Sequence, residues 1–281
     1  MRPLVMGVLN VTPDSFSDGG RFFGPEAAVA HGLDMVEAGA DVVDVGGESS
    51  RPGAEPVPEA EELRRVVGVV EALAPHVRVS VDTVKPGVAE AAVAAGATLV
   101  NDISASLWPV AATWRVGWIA MHMQGEPKTM QAAPRYDVVV DDVRAFLVAR
   151  ANMARDAGVE EVWVDPGIGF GKTLDHNLSL LRHLRALVAE GFGVMVGTSR
   201  KSFLGRLAAR AGEELAPVDA RLPGSIATAT WAMLAGAAMV RVHDVVATVQ
   251  AATLVDSTRL DPQSQPVVAT AGNGRASGGG G

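Results

Sequence analysis

The sequence predicts an α/β fold in a single domain, a closed (β/α)8 barrel, on three observations. Eight short apolar, β-branched runs alternate with longer alanine-rich stretches of helical periodicity. The runs are apolar on consecutive residues rather than alternate ones, as in parallel strands covered by helices on their outer face. The chain has 281 residues, 48% of them hydrophobic, with no linker of changed composition, a length that one α/β barrel reaches. An open doubly wound sheet would show the same alternation and is the alternative.

In chain order the strand runs are "LVMGVLN", "DVVDVGG", "VRVSVDT", "ATLVNDIS", "GWIAMHM", "EVWVDPG", "GVMVGTS" and "AMVRVHD". Helical periodicity follows them over roughly Glu26–Ala38, Glu59–Leu73, Pro86–Ala95, Val110–Arg115, Val138–Ala157, Asn177–Ala189, Gly224–Ala235 and Val245–Leu254. Five of these helices run into glycine, at Gly39, Gly96, Gly158, Gly191 and Gly236. A left-handed glycine cap there turns the chain back toward the next strand. The barrel is assigned to residues 1–258. Residues 259–281, ending "TAGNGRASGGGG", are small, polar and glycine-rich and read as a disordered tail.

Composition narrows the function. A net charge of −8, with lysines and arginines single or in short pairs, leaves no basic face for nucleic acid. The absence of cysteine excludes disulfides, thiolate metal sites and cysteine nucleophiles. The first residues, "MRPLVMGVLN", run into a strand pattern without a signal core, and no apolar run approaches the roughly 18 residues of a membrane span. The expectation is a soluble, cytoplasmic protein that handles small molecules.

One stretch suggests a nucleotide site. "WVDPGIGFGKT" ends as a phosphate-binding P-loop ends, but Pro166 stands where that loop needs its first glycine, and proline offers no N–H. No dinucleotide fingerprint can be read through Gly167, Gly169 and Gly171 either. What remains is a strand ending in a carboxylate.

Barrel chemistry gathers at the C-terminal ends of strands. The polar residues there are Asn10, Glu48, Asp82, Asn101, Asp102, His122, Asp165, Lys201, Arg241 and His243. Structural readings stand beside the functional ones. Asp82 and Asp102 could cap the helices that follow, a role favoured for Asp102; His122 could be packed at its strand end; His176 and His183 read as solvated. The glycines of "GIGFG" could serve only to turn the chain. Taken together, the ends form an acceptor-rich floor, with Lys201, Arg51, Arg241 and His243 as a basic rim. A ligand with a donor-rich heterocyclic head and an anionic tail matches both. Two long loops rich in glycine and proline, "TPDSFSDGGRFFG" and "GESSRPGAEPVPEA", are candidate lids.

Six strings, "NVTPDSFSDGG", "VDVGGESSRPGAEPV", "SVDT", "DPGIGFGKT", "GTSRKSFLG" and "RVHDV", stand in one order along nearly the whole chain. On them the sequence resembles the dihydropteroate synthases of folate biosynthesis, TIM barrels that bind pterins. The resemblance implies condensation of 6-hydroxymethyl-7,8-dihydropterin diphosphate with p-aminobenzoate, giving 7,8-dihydropteroate and pyrophosphate by an SN1-like displacement assisted by Mg2+. It implies that Asp82, Asn101, Met121, Asp165 and Lys201 hold the pterin, with Ser50 near the substrate. Asn10, Arg241 and His243 would cradle the diphosphate, with Asn10 also a metal ligand. Arg51, Pro52, Phe170, Lys201 and Ser202 would form the p-aminobenzoate pocket, and Asp18 would help close the site. Asp82, Asp165, Lys201, Arg241 and His243 are the implied catalytic set, and a homodimer through outer helices is implied as well. A pterin-binding methyltransferase and a silent pterin-binding paralogue are the rivals. One segment departs from the family pattern: after "ND" the chain reads "ISASLW", with Ala105 and Ser106 in place of glycines, and the stretch "PVAATWRVG" that follows is short.

Overall fold

In the computed structural model, which describes residues 2–12, 25–49, 55–126 and 129–258, eight parallel strands close into a barrel in sequence order, β1 pairing with both β2 and β8. Closure removes the open-sheet alternative. The strands are β1 (Leu4–Asn10), β2 (Val42–Gly46), β3 (Arg78–Asp82), β4 (Leu99–Asp102), β5 (Gly117–Met121), β6 (Val162–Asp165), β7 (Gly193–Val196) and β8 (Met239–Val242), one in each predicted run. Asp18, Ser50, Arg51, Pro52 and the tail 259–281 lie outside the described residues.

Helices α1 (Pro25–Glu37), α2 (Glu59–Leu73), α3 (Pro86–Ala94), α4 (Trp108–Trp114) and α5 (Val139–Asp156) each follow one strand. After β6 the predicted single helix is two, α6 (Leu174–Arg182) and α7 (Leu184–Val188), parted at His183. After β7 the chain makes an unpredicted helix, α8 (Ser202–Ala208), before α9 (Leu222–Leu234), and α10 (Val245–Thr258) follows β8. The five predicted glycine caps all have positive φ, from 80° at Gly191 to 115° at Gly96. α6 begins earlier than its periodicity suggested. Thr173 accepts from the His176 N–H while the His176 ring accepts from the Thr173 N–H, a capping box in which histidine takes the usual Glu or Gln place. His176 is therefore a cap rather than a solvated residue, whereas His183 is exposed.

Two cores result. A large one lies between strands and helices: on α2 the buried positions Val66, Val69, Val70 and Leu73 form a stripe at helical spacing that faces the sheet. A small one plugs the barrel, where Met6, Val42, Leu99, Ile119, Met195 and Met239 interdigitate. Side chains alternate along each strand, so the next inward positions up include Asp44, Ser80 and Asn101, all buried. The barrel is apolar below and polar toward its C-terminal mouth.

Candidate active site

The polar layer is organised around one cation. Arg241 on β8 donates through Nε to Asp44 Oδ2 (2.6 Å) and through Nη2 to Asp82 Oδ2 (2.7 Å). Asn101 donates through Nδ2 to the same Asp44 oxygen at 2.9 Å. Strand register makes the grouping possible: Asp82 and Asn101 are Cα partners across β3 and β4, as are Met121 and Asp165 across β5 and β6. Burial works against the charge on Arg241, yet the two carboxylates outweigh it and raise its pKa further. Asp82 is pushed up to about 7: burial and the neighbouring Asp44 and Glu62 charges exceed what Arg241 gives back. Asp82 thus faces the barrel interior and does not cap α3, which has no side-chain cap. The expected separation of acidic floor from basic rim does not hold for Arg241, which is set into the floor.

Asp44 is the residue that sequence reasoning missed. It is completely buried, in a strand read as continuously apolar. The signal was available: charged residues are almost never fully buried unless paired, so an acid inside a five-residue apolar run calls for a distant cation. Three atoms of this layer, Asp44 Oδ1, Ser80 Oγ and Asn101 Oδ1, are buried with no protein partner. They can accept from a ligand or from water.

Asp165 ends β6, and its Oδ1 accepts from the Gly167 N–H at 2.8 Å. Burial raises its pKa, opposed by Lys201 and by the Gly167 bond. Lys201, at the start of α8, donates to the Ile168 carbonyl and stands 4.5 Å from the ring centroid of Phe170. Burial lowers its pKa to about 8, against the pull of Asp165. Asp82, Asp165, Lys201 and Arg241 therefore share one mouth and one electrostatic field. Met121 is buried at the end of β5, Ser202 is exposed beside Lys201, and Phe170 is half-buried. His243, half-buried after β8, places Nδ1 at 3.0 Å from Ser199 Oγ.

The rest of the strand-end residues hold the site's walls. Asp102, completely buried, accepts from the N–H groups of Ser104, Ser106 and Leu107 and from Trp118 Nε1, so it organises the "ISASLW" turn before α4 and does not cap that helix, whose N-cap is Leu107 with no side-chain bond. Ala105 sits there at φ 51°, a backbone conformation in which glycine would be unstrained. Glu48 accepts from the Val57 N–H and from Lys85, which also reaches the buried Glu62. His122 is packed between the rings of Tyr136 and Phe146 and meets Lys172 Nζ at 3.0 Å. Lys172, the false P-loop lysine, is buried and donates to the carbonyls of His122 (3.2 Å) and Phe170 (2.9 Å). Burial lowers Lys172 to about 7, and burial beside that amine lowers His122 to about 3.

Among the described residues no group of three His, Asp or Glu could hold a metal ion. Asn10, half-buried at the end of β1, offers one amide oxygen at the mouth. That fits Mg2+, which keeps several waters and needs only one or two protein oxygens when substrate phosphates supply the rest. It does not fit a resident metal caged by protein.

The sequence profile described as pterin binding enzyme matches residues 6–243. The dihydropteroate synthase of Escherichia coli K12 is 46% identical over 264 residues, covering 91% of this chain and 92% of that protein. Among solved structures, Xanthomonas albilineans dihydropteroate synthase with 4-aminobenzoic acid is 47% identical with a TM-score of 0.85, covering 93% of this chain and 94% of the other. The same organism's enzyme in complex with 7,8-dihydropteroate is 44% identical with a TM-score of 0.81, covering 93% and 95%.

Proposed function

The chain belongs to the family of pterin-binding enzymes, among the dihydropteroate synthases, and on that premise we propose that it joins 6-hydroxymethyl-7,8-dihydropterin diphosphate to p-aminobenzoate, releasing pyrophosphate. The observation that carries this reading is the gathering of Asp82, Asn101, Asp165, Lys201 and Arg241 at one barrel mouth. Asp165 and Asn101 Oδ1 accept from the N–H groups of the pterin edge, Lys201 reaches its acceptor atoms, and Met121 packs against its face. Arg241 has guanidinium N–H groups beyond those given to Asp44 and Asp82, and with His243 it flanks the diphosphate. Asn10 would hold Mg2+, which when bound neutralises charge on the diphosphate. Phe170, Lys201 and Ser202 receive the arylamine, together with Arg51 and Pro52; Ser50 and Asp18 are assigned to the same site.

The reaction is an SN1-like displacement. The bond between the pterin methylene carbon and the diphosphate oxygen breaks, and its electron pair leaves with pyrophosphate. The arylamine nitrogen then bonds to that carbon and gives up a proton. The acidic floor stabilises the positive charge that develops on the pterin, and the cations stabilise the departing anion. No strong base is needed at the reacting carbon.

α9 and α10 pack together and leave Trp231 (56% exposed), Leu234 (55%), Val246 (60%) and Leu254 (62%) on the outer wall. That face supports a homodimer. No described helix is long and apolar enough to cross a membrane.

The test follows pyrophosphate release by purified protein given Mg2+, the pterin diphosphate and p-aminobenzoate, with release dependent on both substrates as the expected result. Tight pterin binding without release would favour the silent paralogue, and methyl transfer to a corrinoid would favour the methyltransferase. Asp165→Ala should abolish pterin binding; unchanged affinity would remove Asp165 from its assigned role.

A further inference from the structure

Four consecutive carbonyls in the turn after β6 each accept a hydrogen bond from a different side chain. Ile168 O accepts from Lys201 Nζ, Gly169 O from Gln131 Nε2 (2.7 Å), Phe170 O from Lys172 Nζ (2.9 Å) and Gly171 O from Tyr136 OH (2.8 Å). Gln131 and Tyr136 belong to the segment between β5 and α5, and Lys172 reaches back to the His122 carbonyl at the end of β5. Gly167 and Gly171, both at positive φ, let the two segments touch: a Cβ on Gly167 would lie 1.9 Å from His122 O, and one on Gly171 would lie 2.3 Å from Gln124 O. A turn held at four consecutive carbonyls has little freedom left, and it carries the ring of Phe170 beside Lys201.

We propose that Lys172 is a positioning residue which, with Tyr136 and Gln131, hangs the turn after β6 on the segment after β5 and so sets Phe170 for the arylamine substrate. This rests on the arylamine reading of Phe170 given above. The segment between β5 and α5 acquires a role that its sequence does not announce, and the lysine that mimics a nucleotide loop acquires one as well. Its three polar contacts lie within the protein, two of them main-chain carbonyls whose places any substitute would leave empty. Neither lysine nor tyrosine needs to touch a substrate. Each fixes the backbone on which a contact residue stands.

The experiment compares wild type, Lys172→Met and Tyr136→Phe in steady state with each substrate varied in turn. Calorimetry measures the affinity for the pterin diphosphate alone, and thermal melting checks that each variant is folded. Tyr136→Phe removes one donor without changing charge, so it tests the same idea if Lys172→Met does not fold. The expected result is a KM for p-aminobenzoate raised by about tenfold in Lys172→Met and by a smaller factor in Tyr136→Phe. Affinity for the pterin diphosphate should stay within about twofold of wild type. Folded variants with unchanged KM for the arylamine, or with pterin affinity lost in proportion, would overturn the proposal. Turnover of both substrates by the wild type is the control that separates this placement from the reaction assignment itself.

Discussion

Removing Asp44 should be a costly change in the barrel interior. Its Oδ2 accepts from the Arg241 guanidinium at 2.6 Å and from the Asn101 amide at 2.9 Å, with no solvent exposure at all. In Asp44→Ala both donors lose their acceptor in a buried setting. Each orphaned donor costs about 1–3 kcal/mol, the charged one at the upper end. The sum matches the roughly 3–5 kcal/mol typical of breaking a buried ion pair from one side. Asp44→Asn is more instructive. Its single oxygen can still accept from both Arg241 and Asn101, as Oδ2 does now, while its amide N–H groups take the place of Oδ1, which has no protein partner. Both hydrogen bonds and the shape are kept, but the negative charge that balances Arg241 from this side is lost. Stability should therefore fall less than in Asp44→Ala, and pterin affinity should fall because the open Oδ1 acceptor becomes a donor. Urea unfolding with a fixed m-value measures the stability change and calorimetry the affinity. Asp44→Ala with wild-type stability would refute the view that Asp44 anchors Arg241.

Asp82 provides a pH prediction. Its folded pKa, about 7, is above the ordinary carboxylate value, so between the two the folded protein holds a proton that the unfolded chain has lost. Stability from this group is full at low pH and declines as pH rises through that window, and Asp82→Asn should flatten the decline in urea midpoints measured from pH 4 to 7. Ala105→Gly should stabilise by up to about 1 kcal/mol, because an alanine at φ 51° carries left-handed strain that glycine lacks; a lower melting temperature would contradict this. Chelation of divalent ions should stop pyrophosphate release while leaving the melting temperature within about 1 °C, since the described residues include no cluster of His, Asp or Glu that would make metal part of the fold. A large fall in melting temperature would point to a resident metal instead.

The barrel was legible because its strands are buried on both faces and so appear as unbroken apolar runs, and because helix ends carry glycines that must turn left-handed. α8 was not legible, since Ser202–Ala208 is one short stretch whose apolar residues follow the busy "GTSRK" turn. The start of α6 was hidden because histidine stands where a capping box usually has Glu or Gln. In the candidate site, Asp82, Asn101, Asp165 and Lys201 could be found from strand ends alone. Asp44 could not be found that way, since it lies one inward position below the end of its strand and its partner is far along the chain. The roles of Tyr136, Gln131 and Lys172 were out of reach for a related reason. They bind main-chain carbonyls, which carry no residue identity for a motif to record.

The link between Asp44 and Arg241 spans 197 residues of chain, and the one from Asp82 to Arg241 spans 159. A ribosome adding about 5–20 residues per second makes the two acids roughly 10–40 s before the cation that neutralises them. Until then the two acids lack their guanidinium partner. The ring can close only when its final strand arrives. Assembly of this molecule is thus a late event, and a transcript truncated before β8 yields a chain that lacks both Arg241 and the strand that closes on β1.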